Sequence, residues 1–371
     1  MVTLKTIAEE AGVSAVTVSN VIHHNYSRVS AETVDKINRI IEKHHYVPNS
    51  NARSLAMKKS RIIGIIIPYV GDGDNFLKSP YNAEIIGVLE RVIRDSGYYL
   101  MVRSVGTTAE AIPLIRSWNV DGVIFLSAFG SDVQEIRKRL DLPVVFIDTY
   151  AAGETFDNVG VEDRKGEYLA TRYLLNMGHR RVWFVGPEIR EDSAEGVISE
   201  RYAGYLEAMT EAGLRSELRH LVAQITSYEC GIEIGRKLAF EEDPPTAVVA
   251  TADILAIGIM EGYRLSGRRI PEDLSVVGFD NLPEGRYTTP KLTTVAQDIA
   301  QKAHLAAGLL LEQLGEDVPS PEEETVNAAP PEAAESRGSR RTTVDVELVE
   351  RGSCLPLNTP KGASSGRKSK K

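Results

Sequence analysis

Apolar residues recur at helical spacing three times near the N-terminus. Leu4, Ile7, Ala8 and Ala11 share one face of a helix over Leu4–Ala11, with Thr3 placed to cap its start and Gly12 where a left-handed turn ends it. Val18, Val21 and Ile22 mark a second helix over roughly 15–22, opened by Ser14. Val34, Ile37, Ile40 and Ile41 mark a third over roughly 31–44, opened by Ser30. Two short helices joined by a tight Gly-Val-Ser turn and closed by a longer third predict a helix-turn-helix.

From Arg61 the pattern changes to short apolar runs alternating with helical spacing. RIIGIIIP, YYLMVRS, GVIFLS and PVVFID are runs of the kind buried in parallel sheets, with helices over Tyr81–Ser96 and Ala109–Trp118 between them. The series repeats beyond residue 160: a helix at Gly166–Met177, RVWFVG, a helix at Ser199–Ala212, HLVAQI, a helix at Tyr228–Phe240, AVVAT, a helix at Ile254–Ser266, then SVVGFD. Two successive α/β blocks predict two doubly wound lobes facing across a cleft. Ligands bind such lobes beyond the carboxyl ends of the strands, where Asp148 closes PVVFID and Asp280 closes SVVGFD. On the residues alone, these two read equally as helix caps or loop anchors.

Between the three N-terminal helices and the first α/β block lies Tyr46-Val47-Pro48-Asn49-Ser50-Asn51-Ala52-Arg53-Ser54-Leu55-Ala56. Pro48 ends the third helix, and the residues after it make only about two helical turns, too few to be stable without a partner. Leu55 is then exposed. It reads either as an unremarkable linker leucine or as a wedge between bases in a minor groove.

Charge sharpens this division. The chain carries −9, yet residues 1–60 hold eight lysines and arginines against five acids, a net +3 that leaves −12 on the rest. A basic module on an acidic body suits one part that touches nucleic acid and another that does not. The composition, 42% hydrophobic and 26% charged, is that of a soluble protein. The longest apolar run, Ile62 to Val70, is far short of the about 20 residues a membrane span needs. The N-terminus lacks a secretory pattern, and two cysteines, Cys230 and Cys354, support neither a disulfide framework nor a zinc site, so a cytoplasmic location is expected.

LKTIAEEAGVSAVTVSNVI…RVSAETVDKI…YVPNSNARSLA, together with PTAVVATADILAIGIMEGYRLSGRRIPEDLSVVGFDNLP…TPKLTTVAQD, resembles the LacI (lactose and purine repressor) family. The resemblance covers roughly residues 3–315 and 341–353. It implies an α-helical helix-turn-helix headpiece (1–47), a hinge (48–60) and an α/β, two-lobed, doubly wound core of the periplasmic-binding-protein type (61–353), followed by a disordered basic tail (354–371). Lobe 1 is expected at about 61–160 and 292–320, and lobe 2 at about 161–291 and 341–353, with one closing strand over Thr342–Val349.

The resemblance also implies residue roles. Ala15, Val16 and Asn20 sit at base-reading positions, while the hydroxyls of Ser14, Thr17 and Ser19 are short enough to reach phosphates. Leu55 matches the leucine inserted at the operator centre, with Asn49, Ala52, Arg53 and Ala56 beside it. Tyr81, Asn82, Asp148, Glu162, Arg201, Asp280 and Gln297 match effector-contacting positions. Departures alter the expected chemistry. Ala15 and Val16 offer only apolar contact, as to thymine methyls, and Asn20 favours adenine. Thr226 stands where relatives place an aromatic cover, leaving Tyr228 or Phe279 as substitutes. Ala252 replaces an asparagine, leaving Asp253 to cap the next helix.

The expected function is a dimeric repressor whose affinity for a pseudo-palindromic double-stranded operator is set by a small molecule, expected to be a sugar, with a nucleoside or purine as the alternative. A transport-type sugar-binding protein would need a signal peptide and no headpiece. An α/β enzyme would need a nucleophile elbow, a phosphate loop or paired metal ligands, none of which occurs in the sequence. No cofactor is expected, and no leucine heptad points to a tetramer.

Overall fold

The computed structural model describes residues 2–22, 24–46, 59–68, 75–128, 130–151, 155–189, 196–318 and 340–357. The chain divides into two compact units, Met1–Ser60 and Arg61–Lys371.

The first unit holds three helices, α1 (Leu4–Ala11), α2 (Ala15–Ile22) and α3 (Ala31–Lys43). Thr3 and Thr6 form a reciprocal capping box at α1, whose end is turned by Gly12 at φ 70°, a conformation that costs glycine nothing. Ser14 Oγ accepts the Thr17 N–H at 3.1 Å and so opens α2; Ser30 does the same for α3 through Thr33. Ile7, Ala8, Ala11, Val18, Val21, Ile37 and Ile40 form the core. Glu10 of α1 binds Lys43 and His44 at the far end of α3, at 2.7 and 2.6 Å.

The second unit contains two six-stranded sheets. The first uses β1 (Ile62–Pro68), β2 (Tyr99–Val105), β3 (Gly122–Leu126), β4 (Val144–Ile147), β5 (Asn158–Val161) and β11 (Arg341–Val344), in the order β11-β5-β4-β3-β1-β2, all parallel. The second uses β6 (Val182–Pro187), β7 (His220–Ala223), β8 (Ala247–Ala250), β9 (Ser275–Asp280), β10 (Thr293–Gln297) and β12 (Val346–Val349), in the order β12-β10-β9-β8-β6-β7, antiparallel only at β12. Helices α4 (Pro80–Asp95), α5 (Thr108–Trp118), α6 (Val133–Arg139) and α11 (Ile299–Leu314) accompany the first sheet. Helices α7 (Asp163–Asn176), α8 (Val197–Glu211), α9 (Tyr228–Ala239) and α10 (Asp253–Leu265) accompany the second. Each lobe keeps its own apolar layer on one face, and a third apolar cluster runs through both lobes.

Two sequence expectations change. The closing strand expected over Thr342–Val349 is two strands in different sheets, with β11 paired to β5 and β12 to β10. The return to the first lobe, expected from Leu292, begins only at α11, because β10 still belongs to the second sheet. Three one-residue crossings therefore join the lobes: Glu162 between β5 and α7, Asp298 between β10 and α11, and Asp345 between β11 and β12.

Candidate functional site

On the headpiece, α2 presents Ala15 and Val16 outward, and Val16 is 68% exposed. Ser19 and Asn20 are half-buried one turn on. The hydroxyls of Ser14 and Thr17 lie 2.9 Å apart within the cap of α2, so each already has one partner. The hinge residues Asn49, Ala52, Arg53, Leu55 and Ala56 lie outside the described residues.

In the core, the strand ends of both lobes deliver one continuous polar chain. Tyr81, in the first turn of α4, donates its hydroxyl to Asp148 just beyond β4. Lys302 of α11 places Nζ 2.9 and 2.8 Å from the two Asp148 oxygens, 2.7 Å from Gln297 Oε1 and 4.9 Å from the Tyr81 ring centroid. Gln297, the last residue of β10, donates Nε2 to Asp280 Oδ1 at 2.6 Å. Asp280, the last residue of β9, has Arg201 Nη1 4.0 Å from that oxygen. Arg201 on α8 binds Asp163 at 2.8 Å and the Thr251 carbonyl, while its guanidinium lies 3.5 Å from the Phe279 ring centroid. Tyr150 completes the chain by donating to Asp163. Left-handed backbone at Asp148 (φ 52°) and Asp280 (φ 121°) turns both aspartates off their strands.

Burial governs the protonation of these acids. Removal from water pushes Asp280 up to about 6, against the opposing pull of Arg201, Gln297 and Lys302. The same cause raises Asp163, opposed first by Arg201. Glu167, one turn beyond Asp163 on α7, is 1% exposed, and its Oε1 has no hydrogen-bond partner among the described residues. Burial pushes its carboxyl up to about 8 in spite of Arg201.

Of the expected effector residues, Tyr81, Asp148, Arg201, Asp280 and Gln297 come together in this chain. Asn82 binds the Phe76 carbonyl at 3.1 Å, bracing the turn before α4. Glu162 is exposed at a crossing, and its neighbour Asp163 is the acid that reaches Arg201. Phe279 is fully buried beneath Arg201 and offers no open stacking face. Asp253 does not cap α10. Its oxygens accept from Thr294 Oγ1 at 2.6 Å and Leu282 N at 2.8 Å, tying β10 to the turn after β9. Lys302, Asp163 and Glu167 are the residues that sequence reasoning missed. Their helical phase signals them, since each falls on the apolar stripe of its helix, Lys302 between Ile299 and Ala306, and Asp163 and Glu167 beside Ala170 and Leu174.

The family model described as "Bacterial regulatory proteins, lacI family" matches residues 3–49, and "Periplasmic binding protein-like domain" matches residues 171–354. The HTH-type transcriptional repressor PurR of Pasteurella multocida is 32% identical over 323 residues, covering 85% of this chain and 93% of that protein. The ribose operon repressor of Haemophilus influenzae is 30% identical over 319 residues, covering 85% and 92%. The chain belongs to the lacI family. The lac repressor dimer bound to operator and the anti-inducer ONPF superposes with a TM-score of 0.78 at 24% identity, covering 95% of this chain and 99% of that one. A LacI family regulator from Enterococcus faecium with bound ribose gives 0.64 at 24% identity, covering 80% and 99%. These two superpositions show a shared fold, over 95% and 80% of this chain respectively. Among the described residues, no helix is long and apolar enough to cross a membrane.

Proposed function

We propose that this lacI-family chain is a transcriptional repressor that binds a pseudo-palindromic operator as a homodimer, under the control of a small effector held between the lobes of its core. The proposed organisation is a headpiece at 1–47, a hinge at 48–60 and a core at 61–353, with lobe 1 returning at α11 and the third crossing at Asp345. The observation that carries the reading is the polar chain from Tyr81 to Arg201, which brings side chains from both lobes to one place beyond the strand ends. A ligand that competes for Asp280, Gln297 or Arg201 has different contacts in different lobe arrangements, and that difference is what shifts a conformational equilibrium. Val16 and Asn20 on α2 supply base contacts. One relative named for ribose, and regulators solved with ribose and cellobiose, favour a sugar or sugar derivative as effector, while the relatives named PurR keep a purine as the second reading.

Selection of bound sequences from a random DNA pool at one fixed salt concentration tests the reading. A palindromic consensus whose retention changes with an added sugar supports it. Salt-limited binding without sequence preference sinks it.

A further inference from the structure

The chain enters the core at Arg61, the first residue of the second compact unit. Its backbone is left-handed at φ 58°, a conformation that disfavours any residue with a Cβ. Its surroundings hold it there. The Arg61 N–H donates to Asp121 Oδ2 at 2.9 Å, and the Arg61 carbonyl accepts from the Tyr99 N–H at 2.8 Å. The guanidinium reaches Glu316 Oε1 at 3.1 Å and lies 4.8 Å from the Tyr98 ring centroid. Tyr98, which is buried, donates its hydroxyl to the same Glu316 oxygen at 3.1 Å. One carboxylate thus clamps the entry residue and the ring beneath it.

Glu316 belongs to a helix cap. Gly315 ends α11 at φ 70°, and the Glu316 N–H donates back to the Leu311 carbonyl at 3.0 Å, which fixes the clamp to the last turn. The other end of α11 starts at the Asp298 crossing, whose side chain accepts the Gln301 N–H at 2.8 Å. In that first turn Lys302 holds Asp148 and Gln297, the middle of the polar chain. The helix has 16 residues, about 24 Å of rise. Ala303, Ala306, Ala307, Leu310 and Leu311 are buried along it, and it packs on α4, β3 and β4. Close packing of this kind transmits a shift along the helix instead of absorbing it.

Resting on the reading of the cleft as an effector site, we propose that Glu316 is a positioning residue for operator binding. Through its grip on Arg61, α11 carries the state of the polar chain to the point where the linker from the headpiece joins the core. A change in the bonds of Lys302 displaces the helix, and the clamp on Arg61 shifts or opens with it. Breaking the clamp disconnects the headpiece from the cleft while leaving the effector and base contacts in place.

The duplex selected from the random pool is the probe, titrated with the full-length chain at fixed salt. Gln297→Ala takes an acceptor from Lys302, and Tyr81→Phe takes a donor from Asp148, so both perturb the cleft end of α11. Each is expected to change operator affinity by about threefold or more. In a Glu316→Ala background both responses are expected to fall within about twofold of no change, the scatter of uncoupled sites. Glu90→Ala, which breaks the exposed pair with Arg94 on α4, is the matched control and is expected to leave both responses intact. Full responses in Glu316→Ala overturn the relay and leave Glu316 a plain anchor for β1. Responses lost in the Glu90→Ala control as well overturn the assignment to this clamp. If neither cleft variant alters affinity in the otherwise unchanged chain, the effector reading falls together with the relay.

Discussion

Lys302 and Asp148 form a buried ion pair in which Nζ reaches both carboxylate oxygens, at 2.9 and 2.8 Å, from a lysine with 0% exposure. Such a pair gains little over a well-packed apolar substitute, yet removing one partner leaves the other as an uncompensated buried charge. Lys302→Met is therefore expected to cost about 3–5 kcal/mol, and Asp148→Asn added to it to restore a large part of that loss. Urea unfolding of the two single variants and the double variant closes the cycle. Additive losses would show that the pair is not coupled.

Stability of the core should fall as pH rises through neutrality, because of Glu167. Its folded carboxyl titrates near 8 against an ordinary value of 4.5. Between those values the unfolded chain has released a proton that the folded chain retains, so folding is progressively penalised from about pH 4.5 to about pH 8 and the penalty is constant above. Its ceiling is roughly 5 kcal/mol at 1.4 kcal/mol per pH unit. Glu167→Gln should flatten the denaturation midpoint across that window. A variant with the same slope as the parent would place the titration elsewhere.

Helices α9 and α10 pack backbone to backbone. A Cβ on Gly258 would stand 2.2 Å from the Tyr228 carbonyl oxygen, and one on Gly231 would stand 2.4 Å from that of Leu255. Gly258→Ala is expected to destabilise the chain by about 2–3 kcal/mol through overpacking. Gly87, on α4, has nothing within 4 Å of its Cβ position, so Gly87→Ala should gain up to about 1 kcal/mol from helix propensity. Thermal melts that rank the two variants in the opposite order would refute the close packing.

Asn20→Ala should lower affinity for the preferred operator by about 1–3 kcal/mol and relax choice at one base pair per half-site, with adenine the base released. The slope of affinity against salt should stay unchanged, because no phosphate contact is lost. A changed slope with an unchanged consensus would assign Asn20 to the DNA backbone instead.

The helices were legible because their spacing is local. The spans expected for α1, α2 and α9 agree with the structure to within a residue, since caps such as Thr3, Ser14 and Ser227 sit beside the apolar phase they open. Sheet membership was not legible for β10, β11 and β12. Each is only four or five residues long and of mixed polarity, and nothing in Thr342–Val349 tells residue 344 to pair with Val161 and residue 346 with Gln297 across the lobes.

At the site, the acids that end strands were readable from position. Lys302 was not, because a lysine in a leucine-rich helix reads as a surface residue until its phase is followed. The expectation for Phe279 failed for a related reason. Its ring alternates inward on β9, and the Arg201 guanidinium takes the face that a ligand would need.

Glu162, Asp298 and Asp345 each form an entire crossing between the lobes. A single residue supplies only two soft torsions, and the three crossings are closed into loops by the sheets on either side. The core is thus an over-constrained linkage rather than two bodies on a tether. No joint can turn without the others following, and an effector acting at any of them works against the compliance of all three.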